Sequence, residues 1–402
     1  MTDTAPIIFN PLEPGYLENP YAQFSELRDH DPVHHSIVEH WILFDYDDVA
    51  SLLRDPALSV DERNATNLDE ERVAAFEEEL GDGESIESTS ILGIDPPDHT
   101  RLRRLLSKAF TSRTIEVLRP RVQELVDTAL DRIEDGGDVI AELAFPLPFD
   151  VISEMLGMPA TDKEQVRDWS GAIVKTIDPI ITPEEVAAAV SASRAMDDHL
   201  AEVIAWKRHN PGDDLLTAMI AAEEDGDRMS AVELRDQVSL LFIAGHETTV
   251  NLIGGGVRAL IDRPDQAARL TGPEADAAAI DELLRFVSPV QFSRRITLED
   301  IDFQGNTIEK GSFVLAGLAS ANRDEKKWGP EADSLDLFRD GAGQHMALGG
   351  GIHYCLGAAL AKLEGQTALG SFVRRFPNAS VLDYEWNGRI NLRGLDTLSI
   401  SA

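Results

Sequence analysis

The stretch Leu348–Gly357 reads LGGGIHYCLG and holds Cys355, the only cysteine of the 402-residue chain. Gly349, Gly350 and Gly351 precede the thiol and Gly357 follows it. Immediately after comes AALAKLEGQTALGSFVRRF, whose periodicity predicts a helix, so the positive end of that helix faces the cysteine. A single cysteine excludes an internal disulfide. It fits a reducing compartment, and we expect a cytoplasmic location.

Three uses of such a thiol differ in what they require. A structural zinc site needs several ligands; His345 and His353 flank Cys355, but a second cysteine is missing. A nucleophile needs a base, and His353, two residues away, would point to the opposite face of an extended loop. The third use fits better. Glycines let backbone N–H groups approach the sulfur, and with the helix dipole they stabilise a thiolate and lower its pKa. A thiolate without a protein partner suits the axial position of a haem iron. An inert buried cysteine is the ordinary alternative, and the glycine frame argues against it.

The rest of the chain is read as mainly α with a small β part, forming a single unit over 1–402 without repeat or linker. ENPYAQFSELRD and DDVASLLRD read as helices, and HHSIVEHWILFDY as a strand pair. Residues 61–90 are acidic, with a short helix predicted in DEERVAAFEEEL. DPPDH opens a basic helix, TRLRRLLSKAF. Residues 296–318 alternate as strands, and ASVLDYEWNGRINLRGLDTLSIS ends the chain in short strands. Asp and Glu number 72 against 36 Lys and Arg, a formal charge of −36, which excludes nucleic acid and anionic membranes as partners. No apolar run is long enough to span a bilayer, and MTDTAPIIFNPLEPG is not a secretory signal.

Ser230 and Glu233 form a capping-box start for a helix of about 30 residues. Val238, Leu241, Phe242, Gly245 and Leu252 lie on one face, with Glu247, Thr248 and Thr249 on or beside it. A buried acid next to a hydroxyl is a proton-delivery arrangement. A packing glycine and a back-bonded threonine explain the same residues structurally. Gly254, Gly255 and Gly256 are expected to serve close helix packing. In DELLRF, Glu282 and Arg285 stand three apart; spacing alone predicts a surface ion pair.

These motifs together resemble the cytochrome P450 monooxygenases of the bacterial kind. The haem-loop pattern F-G-x-G-x-H-x-C-x-G stands as LGGGIHYCLG, with Leu348 in place of Phe. The pattern A-G-x-[DE]-T-T stands as AGHETT at Ala244–Thr249, and E-x-x-R as Glu282 and Arg285. DPPDHTRLRRLLSKAF, ANRDE and HMALGGG follow family segments in order.

The resemblance implies the P450 fold, with haem b between the long central helix and the Cys-loop helix. It implies Cys355 as axial ligand, framed by Leu348, Gly349, Gly351 and Gly357. His99, Arg103, Arg295 and His345 would hold the haem propionates. Glu282, Arg285 and Arg339 would form a buried triad. Glu247 would feed protons and Thr248 steady bound dioxygen. Leu92, Leu240, Ile243, Ala244, Val290, Gln291 and Leu395 would line a pocket for a hydrophobic small molecule, capped by the 61–90 segment.

The resemblance implies a haem domain without a fused reductase, so two electrons would come from NAD(P)H through a ferredoxin reductase and a ferredoxin. The ferredoxin would dock on Arg101, Arg104, Lys108 and Lys362 of a monomer. Leu348 would alter the thiolate's surroundings. A peroxygenase, and a non-catalytic haem sensor or ligand carrier, are the alternatives; Glu247 and Thr248 argue against the first.

Overall fold

One helix, Ala231–Ile261, runs through the middle of the structure and touches most of the others. The computed structural model describes residues 7–66, 89–224 and 229–402, so the helix expected in DEERVAAFEEEL lies outside the described residues. The central helix begins as its sequence dictates. The Glu233 N–H donates to the Ser230 hydroxyl, and the Ser230 N–H to the Glu233 carboxylate at 2.7 Å. Val238, Leu241, Phe242 and Leu252 are buried in the largest apolar cluster.

Other helices pack around it: the basic helix Asp98–Leu106, Pro146–Leu156, Pro183–His209, the E-x-x-R helix Pro273–Val287, and the post-cysteine helix Ala358–Arg375. The basic helix was expected to reach Phe110. It stops at Leu106, where the Ser107 hydroxyl and N–H both turn back onto the Arg103 carbonyl.

The strands form small sheets to one side. Strands β1 (Val33–His35) and β2 (Trp41–Leu43) make an antiparallel hairpin. β2 runs parallel to β8 (Phe313–Gly317), which pairs with β5 (Phe292–Thr297), and β5 with β3 (Leu58–Ser59). β6 (Ile301–Phe303) and β7 (Asn306–Ile308) form a separate hairpin. Near the end of the chain, β9 (Ser380–Trp386) and β10 (Leu395–Ser401) pair with each other, and β10 with β4 (Gly137–Asp138). Among the described residues no helix is long and apolar enough to cross a membrane.

The central helix survives its glycines because each faces a neighbouring element. A Cβ on Gly245 would sit 2.8 Å from Ile152, and one on Gly254 2.5 Å from Ile140. At Gly255 the obstacle is Val287 at 2.7 Å, and at Gly256 it is Leu369 at 2.8 Å. The triple glycine thus lets three elements approach one helix at three sides. Helix propensity alone favours alanine by about 1 kcal/mol per site; overpacking costs about 1–3 kcal/mol. Gly256→Ala, which meets the branched head of Leu369, is therefore expected to lower the thermal unfolding midpoint. A raised midpoint would show that propensity outweighs packing there.

Candidate haem-thiolate site

The cysteine loop is held by its own backbone. The Gly349 N–H bonds the Met346 carbonyl at 2.9 Å, and the Cys355 N–H bonds the Leu348 carbonyl at 2.9 Å. Gly349 and Gly351 have φ of +70° and +64°, and a Cβ on Gly351 would lie 2.2 Å from the Leu53 carbonyl oxygen. Glycine is required at Gly351 on both counts. Cys355 is half-buried in this frame. Burial pushes its thiol up, while the Gly357 N–H and the Arg103 guanidinium pull it down. The expected thiolate-stabilising groups are present, but in the protein alone desolvation outweighs them, contrary to the lowered pKa read from the sequence. A metal ion would reverse that balance.

His353 does not sit on an extended strand. Gly351–His353 form a 3₁₀ turn, and the His353 ring packs 4.4 Å from the ring of His99. His353, His99, Arg103 and Arg295 interact as one basic cluster; burial, then Arg295, His99 and Arg103, push His353 down to about 3. Burial likewise lowers His99, and Arg295 to about 10. Arg295 is buried and donates to the Ser293 hydroxyl at 2.9 Å and the Arg294 carbonyl at 2.7 Å, whereas Arg294 points outward to Glu62. Arg103 donates to the Tyr354 carbonyl. His345 stands apart from this cluster: its Nε2 lies 3.3 Å from Asp281, which also pairs with Lys362, and its Nδ1 accepts from the Ala347 N–H.

Among the described residues neither Arg103 nor Arg295 pairs with a carboxylate, and both ring nitrogens of buried His99 lack a partner. In a chain with 36 excess negative charges, such a cluster fits a dianionic group. On the central helix, Ala244 is exposed and Thr248 half-buried, its hydroxyl back-bonding the Ala244 carbonyl at 3.2 Å.

The cytochrome P450 family model matches residues 83–272 and 277–380. The chain is 40% identical over 401 residues to cytochrome P450 107B1 of Saccharopolyspora erythraea, covering 97% of this chain and 96% of the relative. It is 38% identical to the cytochrome P450 monooxygenase PikC of Streptomyces venezuelae, covering 97% and 92%. The solved structure of the myxobacterial cytochrome P450 CYP267B1 with myristic acid superposes with a TM-score of 0.88 at 35% identity, over 97% of this chain and 98% of that one. The chain belongs to the cytochrome P450 family. It is a haem-thiolate monooxygenase, using haem and dioxygen, and it has the P450 fold.

The P450 places its other predicted residues unevenly. Glu282 and Arg285 are completely buried, not on the surface as spacing suggested. The Arg285 Nε and Nη2 bond Glu282 at 2.7 and 2.8 Å, and its remaining N–H groups reach the carbonyls of Asn322, Ala332 and Ser334. Arg339 adds a contact to Glu282 at 3.2 Å. Glu247 is buried with its carboxylate 2.5 Å from Arg389, and His246 stands 3.8 Å away.

Around the expected pocket, Ile243 is buried, Leu240 and Val290 are half-buried, and Leu92 is exposed. Gln291 is completely buried; its Nε2 donates to the Ser288 carbonyl at 2.6 Å, while its Oε1 has no partner among the described residues. Leu395 lies on outer clefts with Asn251. Leu392 pairs with Val290 instead. In the expected basic patch, Arg101 pairs with Asp98 and Glu233, and Lys362 with Asp281; Arg104 and Lys108 are exposed.

Arg389 was not foreseen. It sits on the 387–394 loop between β9 and β10, whose backbone is anchored on Asp178: the Ile390 and Asn391 N–H groups donate to its carboxylate at 3.0 and 2.7 Å. Glu364 was also missed. It is completely buried on the post-cysteine helix beside Thr249, and burial pushes its carboxyl well above the usual range. The E-x-x-R network yields a direct test. Glu282→Ala leaves Arg285 buried without its counter-charge, a loss of about 3–5 kcal/mol. The expected outcome is a sharply lowered yield of folded protein and a lowered unfolding midpoint; an unchanged midpoint would contradict the burial.

Proposed function

We propose that Cys355 ligates the haem iron, that His99, Arg103 and Arg295 hold the propionates, and that Glu247 and Thr248 manage protons at the opposite face. Arg103 and Arg295, without an ion-pair partner among the described residues and next to a half-buried thiol, carry this reading. His345 stands outside this set: with Lys362 it holds the Asp281 carboxylate ionised down to a pH of about 2. When bound, haem supplies the activation of dioxygen and the insertion of one oxygen atom into the substrate. The chain's residues bind, orient and exclude water. The Thr248 hydroxyl can leave the Ala244 carbonyl to donate toward the open face. Arg389 fixes the Glu247 carboxylate on the loop side of the central helix, so proton movement requires that carboxylate to swing from Arg389 toward Thr248.

The substrate is a hydrophobic small molecule of substantial size. Ile243, Leu240, Ala244 and Val290 with Leu392 supply an apolar lining. Relatives are named 6-deoxyerythronolide B hydroxylase and vitamin D(3) 25-hydroxylase, and both names denote large, largely apolar molecules. Electrons come from NAD(P)H through a separate reductase and ferredoxin in the cytoplasm. Ile352 and Tyr354 are exposed beside Cys355, with Arg104 and Lys108 on the basic helix. The ferredoxin docks there, against a net charge of −36, so its reduction rate depends steeply on ionic strength.

Two measurements test this. The double variant Arg103→Leu/Arg295→Leu is expected to lose most of its haem on purification, read from the Soret-to-protein absorbance ratio, while Arg294→Leu keeps it; equal retention would refute the propionate assignment. In Thr248→Ala and Arg389→Gln, substrate binding should be retained while product formed per NAD(P)H falls several-fold. Unchanged coupling in Thr248→Ala would remove the hydroxyl from the mechanism.

A further inference from the structure

A surface cleft of about 690 Å³ opens between the first helix, Tyr21–His30, and the C-terminal half of the central helix. That volume falls in the range of small-molecule sites. Its lining includes Asn251 and Gly255 of the central helix, together with Val287 and Leu395. Four of the chain's 36 basic residues, Arg258, Arg263, Arg323 and Arg393, converge on it.

Two of these guanidiniums are satisfied by charge. Arg258 pairs with Glu18 at 2.6 Å, and Arg323 has Asp333 at 3.6 Å. Arg263 has no such partner among the described residues, and Arg393 feels the Glu18 carboxylate only beyond ion-pair distance. Arg393 spends Nε and Nη2 on the backbone carbonyls of Leu17 and Glu18 and lies 4.0 Å over the Trp386 ring. Arg263 makes one bond, to the Ala259 carbonyl of its own helix at 3.3 Å, and stacks 4.7 Å over Phe286. Among the described residues neither has a carboxylate within ion-pair distance, and Nη1 of Arg393 and Nη2 of Arg263 have no protein acceptor.

Glu18, Asp262 and Asp333 also line the cleft, so an anion is drawn to the unspent guanidinium donors held on the aromatic faces. These donors recognise a carboxylate or phosphate, while Phe286, Val287 and Leu395 meet an apolar body. We propose that this cleft is a second small-molecule site, separate from the one beside Cys355, for an amphipathic anion whose head sits between Arg263 and Arg393.

The position gives the site a consequence. Asn251 and Leu395 also border the smaller space that contains Glu247 and Arg389. The Asn251 side chain donates to the Leu392 carbonyl at 3.2 Å, tying the 387–394 loop to the central helix. An occupant of the cleft therefore bears on the loop that holds Arg389. This second step rests on the proposed role of Glu247; the binding step does not.

Binding is tested on the haem-loaded protein by calorimetric titration with decanoate, decyl phosphate and decanol, with the Soret band recorded in parallel. Occupancy beside the haem moves the Soret band; occupancy of the cleft does not. The expected result is a Soret-silent site that binds decanoate or decyl phosphate at least tenfold more tightly than decanol. Which anion binds more tightly identifies the head group. Arg263→Gln, which gives up only one bond to its own helix, should weaken that site several-fold, Arg263→Lys less, and Arg263→Gln/Arg393→Gln more. Equal binding of decanol, loss of the silent site when the Soret-active one is saturated, or binding unchanged in Arg263→Gln overturns the proposal. If the silent site binds as expected but leaves product per NAD(P)H unchanged, the effect on Arg389 is refuted and the site itself stands.

Discussion

Positive charge that the polypeptide does not neutralise is the constraint around which this structure is organised. Arg295 is buried and Arg103 half-buried, and among the described residues neither forms an ion pair with a carboxylate, Asp95 acting on Arg295 only at longer range, while burial lowers the neighbouring His99 and His353. Desolvating cations in this way is costly, and it occurs in a chain where acids outnumber bases two to one. Burial also pushes the Cys355 thiol upward. The same cluster therefore asks for anionic groups beside the arginines and for a metal beside the sulfur. The proposed haem would satisfy both demands, with Arg103 and Arg295 to hold its propionates and Cys355 to hold its iron.

The remaining architecture fixes the elements that carry these residues. The glycine-framed loop positions the sulfur from below. The E-x-x-R network ties the helix carrying Glu282 and Arg285 to the carbonyls of Asn322, Ala332 and Ser334, upstream of the cysteine loop. From above, the central helix presents Ala244 and Thr248, and its glycines let Ile152, Ile140, Val287 and Leu369 pack against its other sides. The 387–394 loop joins these parts: it pairs Leu392 with Val290, Arg389 with Glu247, and its backbone with Asp178.

Much of this was legible in the sequence because it depends on local rules. The capping box at Ser230, the strand alternation from residue 296 onward and the glycine-rich cysteine loop each follow from short-range spacing. What was not legible depended on which distant side chain arrives. Spacing placed Glu282 and Arg285 on the surface, since burial is set by the Asn322–Ser334 segment, far along the chain. Arg389 looks like any turn arginine until the β9–β10 loop folds over Glu247. His345 was grouped with the propionate ligands, yet Asp281, on a separate helix, claims its ring. Motif order places Leu395 in the substrate pocket; the structure puts Leu395 at clefts with Asn251 and bridges Leu392 to Val290.

The account stands or falls on the bond from Cys355 to the haem iron. The direct measurement is the absorbance of the purified protein, reduced with dithionite under carbon monoxide, for the natural chain and for Cys355→His. The natural chain should show the strongly red-shifted Soret band of a thiolate-ligated haem, and Cys355→His should lose it while retaining bound haem. A natural chain without that band, or a Cys355→His variant that keeps it, would contradict the account.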